Sequence, residues 1–281
     1  MIFEHEIPTG SRLYFGSIAK AKRELEYTAS QFLAHEGFEE IVTPNFSYSG
    51  HQSIDDDKEL ITLSDESNNS LALRADSTLD VVRIIKKRLG RATEHKKWFY
   101  IQPVFTYPSN EIYQIGLEWI GYDNMSDIIN LNCKLLEKLN LFPMVQIANI
   151  NIPLLISQKL NIDIELFKNG EIGALFDLDI EWLSKLINVK NADELQSVMT
   201  LIPSYLQEEC QKLMNIANDV AYTKVSISPI FYSAMKYYDN IYYRVIEGNL
   251  TLANGGGYKS DGINSLGFAL YTDNLLKVME G

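Results

Sequence analysis

Soft metal ligands are scarce in this chain: 281 residues contain two cysteines and four histidines. Cys133 and Cys210 fall in helical-looking segments, with no ligand-like spacing to each other or to His5, His35, His51 or His95. That excludes a disulfide framework or a zinc site legible from spacing, and no metal is expected. Positive charge is short as well, with 25 Lys and Arg against 37 Asp and Glu and a net charge of −12. Nucleic-acid binding draws on clustered cations that release counterions, so a nucleic-acid partner is disfavoured. The basic runs present, Lys86-Lys87-Arg88 with Arg91 and then Lys96-Lys97, read as a solvated helix face or a contact for an acidic partner. No apolar run reaches the length of a bilayer span, and MIFEHEIPTGSRL has neither the basic nor the apolar part of a leader. The expected location is cytoplasmic, away from membranes.

What is present is enough apolar material, 46% of residues, for a real core. The stretch from Trp98 to Tyr122 organises the rest. Two alternating apolar runs, 98–105 and 112–120, flank Pro108-Ser109-Asn110-Glu111, which predicts a β-hairpin. In its second strand Gln114, Gly116, Glu118 and Ile120 share one face, and the Gln and Glu are expected about 7 Å apart on it. The face reads either as the polar side of an amphipathic strand or as a place for a polar ligand.

Ahead of the hairpin, Ile18, Ala21, Leu25, Ala29, Phe32 and Leu33 recur at helical spacing up to Gly37. Residues 38–44 then read as a strand ending at Pro44, at an edge or an interface. The polar segment 51–69, with Asp55-Asp56-Asp57, reads as a surface loop rather than a metal cluster. Within it Leu60–Leu63 and Leu71–Arg74 are predicted to form a second hairpin across 65–69. Asp76-Ser77-Thr78 is an N-cap signal for a helix over 79–89, and capping alone would explain Asp76 and Thr78. Behind the hairpin come a helix over 127–139 and a strand over 145–152. A helical appendage follows at about 154–214, interrupted at Asn169-Gly170, Asn188 and Pro203. Strand character returns at 221–227, 236–245 and 250–253. A glycine loop, Asn254-Gly255-Gly256-Gly257-Tyr258, precedes a last strand, 266–270, and a last helix, 273–279. This order predicts an α+β fold, a mostly antiparallel sheet flanked by helices, as one domain over 1–281.

In this order the segments resemble the catalytic core of class II aminoacyl-tRNA synthetases, in particular the histidyl branch, nearly end to end. Gly37 to Pro44 resembles the first motif, a dimer-interface strand ending in proline. Leu73-Arg74-Ala75-Asp76-Ser77-Thr78 resembles the segment whose acid and threonine hold the amino acid's ammonium. Phe105 to Gly121 resembles the second motif, with Gln114 and Glu118 at the amino-acid-contacting positions. Lys236-Tyr237-Tyr238 resembles the histidine-specific segment, Asn254 to Tyr258 the glycine-rich loop, and Leu266 to Leu276 the third motif. The resemblance implies a histidine-binding set of Asp76, Thr78, Gln114, Glu118, Tyr238 and Tyr258, with acceptors for an ammonium and partners for both imidazole nitrogens. A vestigial, water-filled polar cleft is the other reading of the same residues.

Four positions depart from the family in one direction. Where it places cations to stabilise phosphate charge, this chain has Thr106, Ser233, Gly257 and Asn274. A neutral side chain cannot replace a bidentate guanidinium, so aminoacylation is expected to be absent, with no cofactor required. The sequence reaches Gly281 just past the third-motif helix, without the anticodon-binding domain of histidyl-tRNA synthetases. That combination resembles the regulatory subunits of ATP phosphoribosyltransferase. The resemblance implies a non-catalytic homodimer in a hetero-oligomer with short-form catalytic subunits, activating them in histidine biosynthesis and relaying feedback by L-histidine. Two rival readings remain. One is a ligase that adenylates an amino acid for a non-tRNA acceptor, with Arg74, Arg244 or a lysine as the replacement cation. The other is a synthetase-like module with a different partner and no ligand.

Overall fold

Leu25, Ala29 and Leu33 recur every four residues and are buried, so Gly16–His35 forms a helix, α1, with one face against protein. The computed structural model describes residues 6–51, 59–90, 92–233, 238–260 and 262–280. Features expected at His5, Asp55-Asp56-Asp57, Arg91 and Lys236-Tyr237 lie outside the described residues. The chain divides into two compact units, Met1–Ile120 with Ala269–Gly281, and Gly121–Phe268.

In the first unit the predicted central hairpin is present as β5 (Lys97–Thr106) and β6 (Asn110–Ile120). They pair antiparallel in unbroken register from Lys97↔Trp119 to Thr106↔Asn110. A short strand β1 (Glu39–Glu40) adds to β5 in parallel. The first-motif strand is thus shorter than the sequence predicts. After Ile41, whose N–H still bonds Phe99 O, the chain leaves the ladder, and the carbonyls of Thr43 and Pro44 turn to Arg74.

The second expected hairpin forms a small antiparallel sheet in the order β2-β4-β3, with β2 at Phe46–Tyr48, β3 at Thr62–Ser64 and β4 at Ser70–Leu73. Helix α2 (Thr78–Ile84) continues as a π-helical stretch, Ile85–Leu89. It starts without a side-chain cap at Ser77. The capping explanation for Thr78 is therefore corrected: Thr78 is the first helical residue, and its hydroxyl lies beside Tyr100 instead.

Strand alternation separates the two faces of β5 and β6. Tyr100, Gln102, Gln114, Gly116 and Glu118 look toward α2, while Ile101, Pro103 and Tyr113 look toward α1. On the α1 side Lys22 is buried in an ion pair with Glu26, and its ammonium lies 4.2 Å from the Tyr113 ring centroid. Buried cations need such company.

The second unit opens with α3 (Met125–Lys138) and β7 (Met144–Asn149). Six helices follow: α4 (Asn151–Leu160), α5 (Glu165–Lys168), α6 (Ile172–Phe176), α7 (Glu181–Asn188), α8 (Ala192–Val198) and α9 (Ser204–Asp219). Strands β8 (Val225–Ile227), β9 (Tyr238–Glu247), β10 (Leu250–Ser260) and β11 (Ile263–Tyr271) complete it, in the order β11-β10-β9-β7-β8. Strands β7 and β8 run parallel, while β9 is antiparallel to both β7 and β10. The architecture is α+β, with a mixed sheet flanked by helices. The last helix, α10 (Thr272–Glu280), returns to the first unit, where Tyr14 donates to Asp273 and Arg12 pairs with the same carboxylate at 3.3 Å.

The glycine run is not a loop but the middle of β10. A Cβ at Gly255 would lie 2.4 Å from the Tyr243 ring, and one at Gly256 would lie 2.5 Å from the Tyr238 ring. Two aromatic rings need bare backbone to rest on, and glycine supplies it.

Glu209 ties α9 to β7. Its carboxylate takes hydrogen bonds from Asn149 (2.8 Å), Asn151 (3.3 Å) and Lys212 (2.7 Å). Burial alone would raise its pKa, but the bonds from Lys212, Asn149 and Asn151 outweigh that and hold it below its ordinary value of 4.5. A carboxyl depressed in the folded state adds stability that is complete above its unfolded pKa and lost as pH falls through the folded one. We expect the second unit to lose thermal stability as pH falls through 4.5 and below. The Glu209→Gln variant should show a flatter acid limb in calorimetric scans across that range. Parallel limbs in the two proteins would rule out this contribution.

Candidate functional site

Within the first unit, the face of the hairpin toward α2 gathers residues that the sequence singled out and others that it passed over. Tyr100 is fully buried, and its phenol lies 3.4 Å from Thr78 Oγ1 and donates to Glu118 Oε1 across 3.4 Å. Tyr100 and Gly116 are register partners, and a Cβ on Gly116 would sit 2.1 Å from the Tyr100 ring. The glycine is what lets the ring lie across β6. Gln102 stands next along β5. It accepts from Thr43 N and Thr43 Oγ1, both at 3.2 Å, and donates to Ser77 Oγ at 3.3 Å. It thereby joins the first-motif segment to the start of α2.

Glu118 is 0% exposed, whereas Gln114 and Asp76 are half-buried. Gln114 and Glu118 do share the face, but they are two side-chain repeats apart, about 13 Å along the strand rather than the expected 7 Å. To touch one amino acid the two side chains must converge on it. Tyr100 and Gln102 are the residues that sequence reasoning missed. The available signal was Gly116, a bare position opposite an alternating tyrosine.

Chemically this face offers a carboxylate, a phenol, a hydroxyl and amides. Such groups suit an ammonium or an imidazole, not a phosphate. Arg74 does not alter that balance. It is 0% exposed, and its guanidinium is consumed by neutral acceptors. Nε donates to Pro103 O (3.0 Å), Nη1 to Thr43 O, Thr43 Oγ1 and Pro44 O (3.0, 3.0 and 3.1 Å), and Nη2 to Asn45 Oδ1 and Pro103 O (3.1 and 2.6 Å). All five donors of the fork are used inside the protein.

The remaining candidates are in the second unit. Tyr238 and Tyr258 are register partners on β9 and β10, both buried, and Tyr238 packs against Tyr242 with ring centroids 5.2 Å apart. Of the four positions that the resemblance pairs with synthetase cations, Thr106 ends β5 and its hydroxyl accepts from Asn110 at 3.3 Å. Asn274 lies in the first turn of α10. Ser233 is buried ahead of β9, and Gly257 is within β10. Both cysteines are buried, and burial pushes each thiol up to about 12, so neither is a nucleophile at neutral pH.

Comparison with known proteins places the fold. The family model for histidyl-tRNA synthetase matches residues 16–207. A crystal structure titled as an ATP phosphoribosyltransferase regulatory subunit/histidyl-tRNA synthetase from Bacillus halodurans superposes with a TM-score of 0.86 at 20% identity, covering 100% of this chain and 85% of that one. Histidyl-tRNA synthetase from Nostoc superposes with a TM-score of 0.78 at 16% identity, covering 99% and 76%. The fold is that of the class II, histidyl-type synthetase core.

Two full-length relatives narrow this further. The ATP phosphoribosyltransferase regulatory subunit of Wolinella succinogenes is 46% identical over 277 residues, 99% of this chain and 96% of that protein. The one from Helicobacter hepaticus is 39% identical over 279 residues, 99% of each. The chain belongs to the family of ATP phosphoribosyltransferase regulatory subunits.

Proposed function

We propose that this protein is a non-catalytic subunit that activates the short-form catalytic subunit of ATP phosphoribosyltransferase and carries part of its feedback inhibition by histidine. The observation that carries the reading is the contrast within the first unit. Thr78, Tyr100 and Glu118 keep an amino-acid-type set of acceptors together. Arg74, meanwhile, has no donor left for a phosphate. Asp76, Thr78, Gln114 and Glu118 are assigned to the histidine ligand. Regulation then works by differential binding: histidine favours whichever arrangement of the assembly holds it better, and the catalytic subunit's affinities shift reciprocally.

A homodimer through the first-motif region is part of the reading. Support comes from the small sheet, where Tyr48, Leu71 and Leu63 stand in one cross-strand row. Phe46, Tyr48 and Leu63 on that sheet are exposed, as is Val42 just before it. Adjoining apolar side chains of this kind are what an interface covers.

Mixing the purified chain with a short-form catalytic subunit should give a stable complex and faster phosphoribosyl transfer, reduced again by L-histidine. No association together with no change in rate would reject the proposal. The ligase reading predicts amino-acid-dependent pyrophosphate exchange, and with Arg74 fully engaged the expected exchange is background.

A further inference from the structure

The second unit holds a cation that the proposed function does not use. Arg244 lies on β9 between Gln146 of β7 and Asn254 of β10, its register partners on either side. Its Nε donates to Gln146 Oε1 at 2.8 Å, and its guanidinium carbon sits 4.2 Å from the centroid of the Phe231 ring. Phe231 in turn stacks on Tyr242, with centroids 5.7 Å apart and planes 12° from parallel, and Tyr242 donates to Asn254 Oδ1 at 2.8 Å. The guanidinium plane is thus fixed by one neutral hydrogen bond and one aromatic face.

No carboxylate among the described residues pairs with it, in a protein whose acids outnumber its bases by twelve. The side chain is half-buried, and burial lowers its pKa with only Tyr242 opposing. A partly desolvated cation without a counter-charge is unfavourable unless something external neutralises it. The geometry also says which part is on offer. Nε is taken, while the two terminal nitrogens make no hydrogen bond to the described residues, and a guanidinium so held presents a planar pair of donors.

We propose that Arg244 anchors a small-molecule oxyanion, a carboxylate or a phosphate, over the Phe231–Tyr242 aromatic stack. Phe231 preorganises the fork, and Gln146 fixes its rotation by occupying Nε. The half-buried setting favours a small ligand, with any flat or apolar portion of it lying along the aromatic wall. This inference does not depend on the histidine assignment, because Arg244, Gln146 and Phe231 are not among the residues given to that ligand.

The test follows the Arg244 Nε–Hε cross-peak of the full-length, isotope-labelled chain, identified by its absence in Arg244→Gln. The chain is titrated with inorganic phosphate, with acetate and with L-histidine at an ionic strength held constant with chloride. A saturable shift with phosphate supports a phosphate-bearing ligand, and one with acetate a carboxylate. Calorimetry on Arg244→Gln should show binding of the effective anion at least about tenfold weaker. Arg244→Lys should recover only part of it, because an ammonium lacks the fork. Should the glutamine variant fail to fold, Phe231→Leu keeps the cation, removes its platform, and should weaken the same anion severalfold. A cross-peak unmoved by phosphate and by acetate at millimolar concentration overturns the proposal. A histidine response equal in wild type and Arg244→Gln leaves the first-unit assignment standing and shows the two sites to be separate.

Discussion

Arg74→Met is expected to destabilise the first unit by about 3–5 kcal/mol, the scale of several buried acceptors left without donors. The side chain is fully buried and bonds five acceptors: the carbonyls of Thr43, Pro44 and Pro103, the Thr43 hydroxyl and the Asn45 amide oxygen. Methionine fills much of the volume and supplies no donor, so those acceptors are left in a dry environment. Neutral acceptors around a guanidinium also mean that the substitution strands no carboxylate, which keeps the figure at the hydrogen-bond scale. Lysine at the same position should recover less than half, since three donors on one nitrogen cannot serve acceptors arrayed around a plane. Urea unfolding followed by fluorescence reads this directly, because Trp98 and Trp119 both lie on the hairpin. A midpoint unchanged in Arg74→Met would show that the acceptors find other donors.

Glu118→Gln should weaken histidine inhibition of the reconstituted complex by about tenfold to a hundredfold, the range for a hydrogen bond made to a charged group. The substitution preserves size at a position that is completely buried, so folding should be retained. What it removes is the carboxyl group. Under the proposed assignment a bound histidine loses a carboxyl partner, and the Tyr100 phenol, which donates to Glu118 Oε1 in the free protein, faces an amide. Histidine calorimetry on the complex, alongside inhibition curves, gives the measurement. An inhibition constant equal to that of wild type would remove this face of β6 from the effector site.

The elements whose periodicity is local were legible from sequence. The alternation in 98–105 and 112–120 located both strands of the hairpin, and the four-residue recurrence of Leu25, Ala29 and Leu33 located α1. What sequence could not supply is partnership at a distance. The first-motif strand ends early because Arg74, some thirty residues later, claims the carbonyls of Thr43 and Pro44. Nothing in Thr-Pro predicts that. Asn254 to Gly257 carries the composition of a turn, yet it forms a strand because Tyr238 and Tyr243 demand room. Thr78 looked like part of a cap for the same reason: the tyrosine beside it lies 22 residues away, on β5.

The glycine pair in β10 leaves that strand one peptide plane thick. Neighbouring residues of a strand face opposite ways, so Tyr238 presses on one side of this thin place and Tyr243 on the other. The hydroxyl of Tyr243 is gripped by Asn132 of α3 at 3.0 Å. A displaced ring at Tyr238 therefore meets no cushioning side chain on its way through the sheet, only rigid main chain backed by a second phenol whose far end is tethered to a helix.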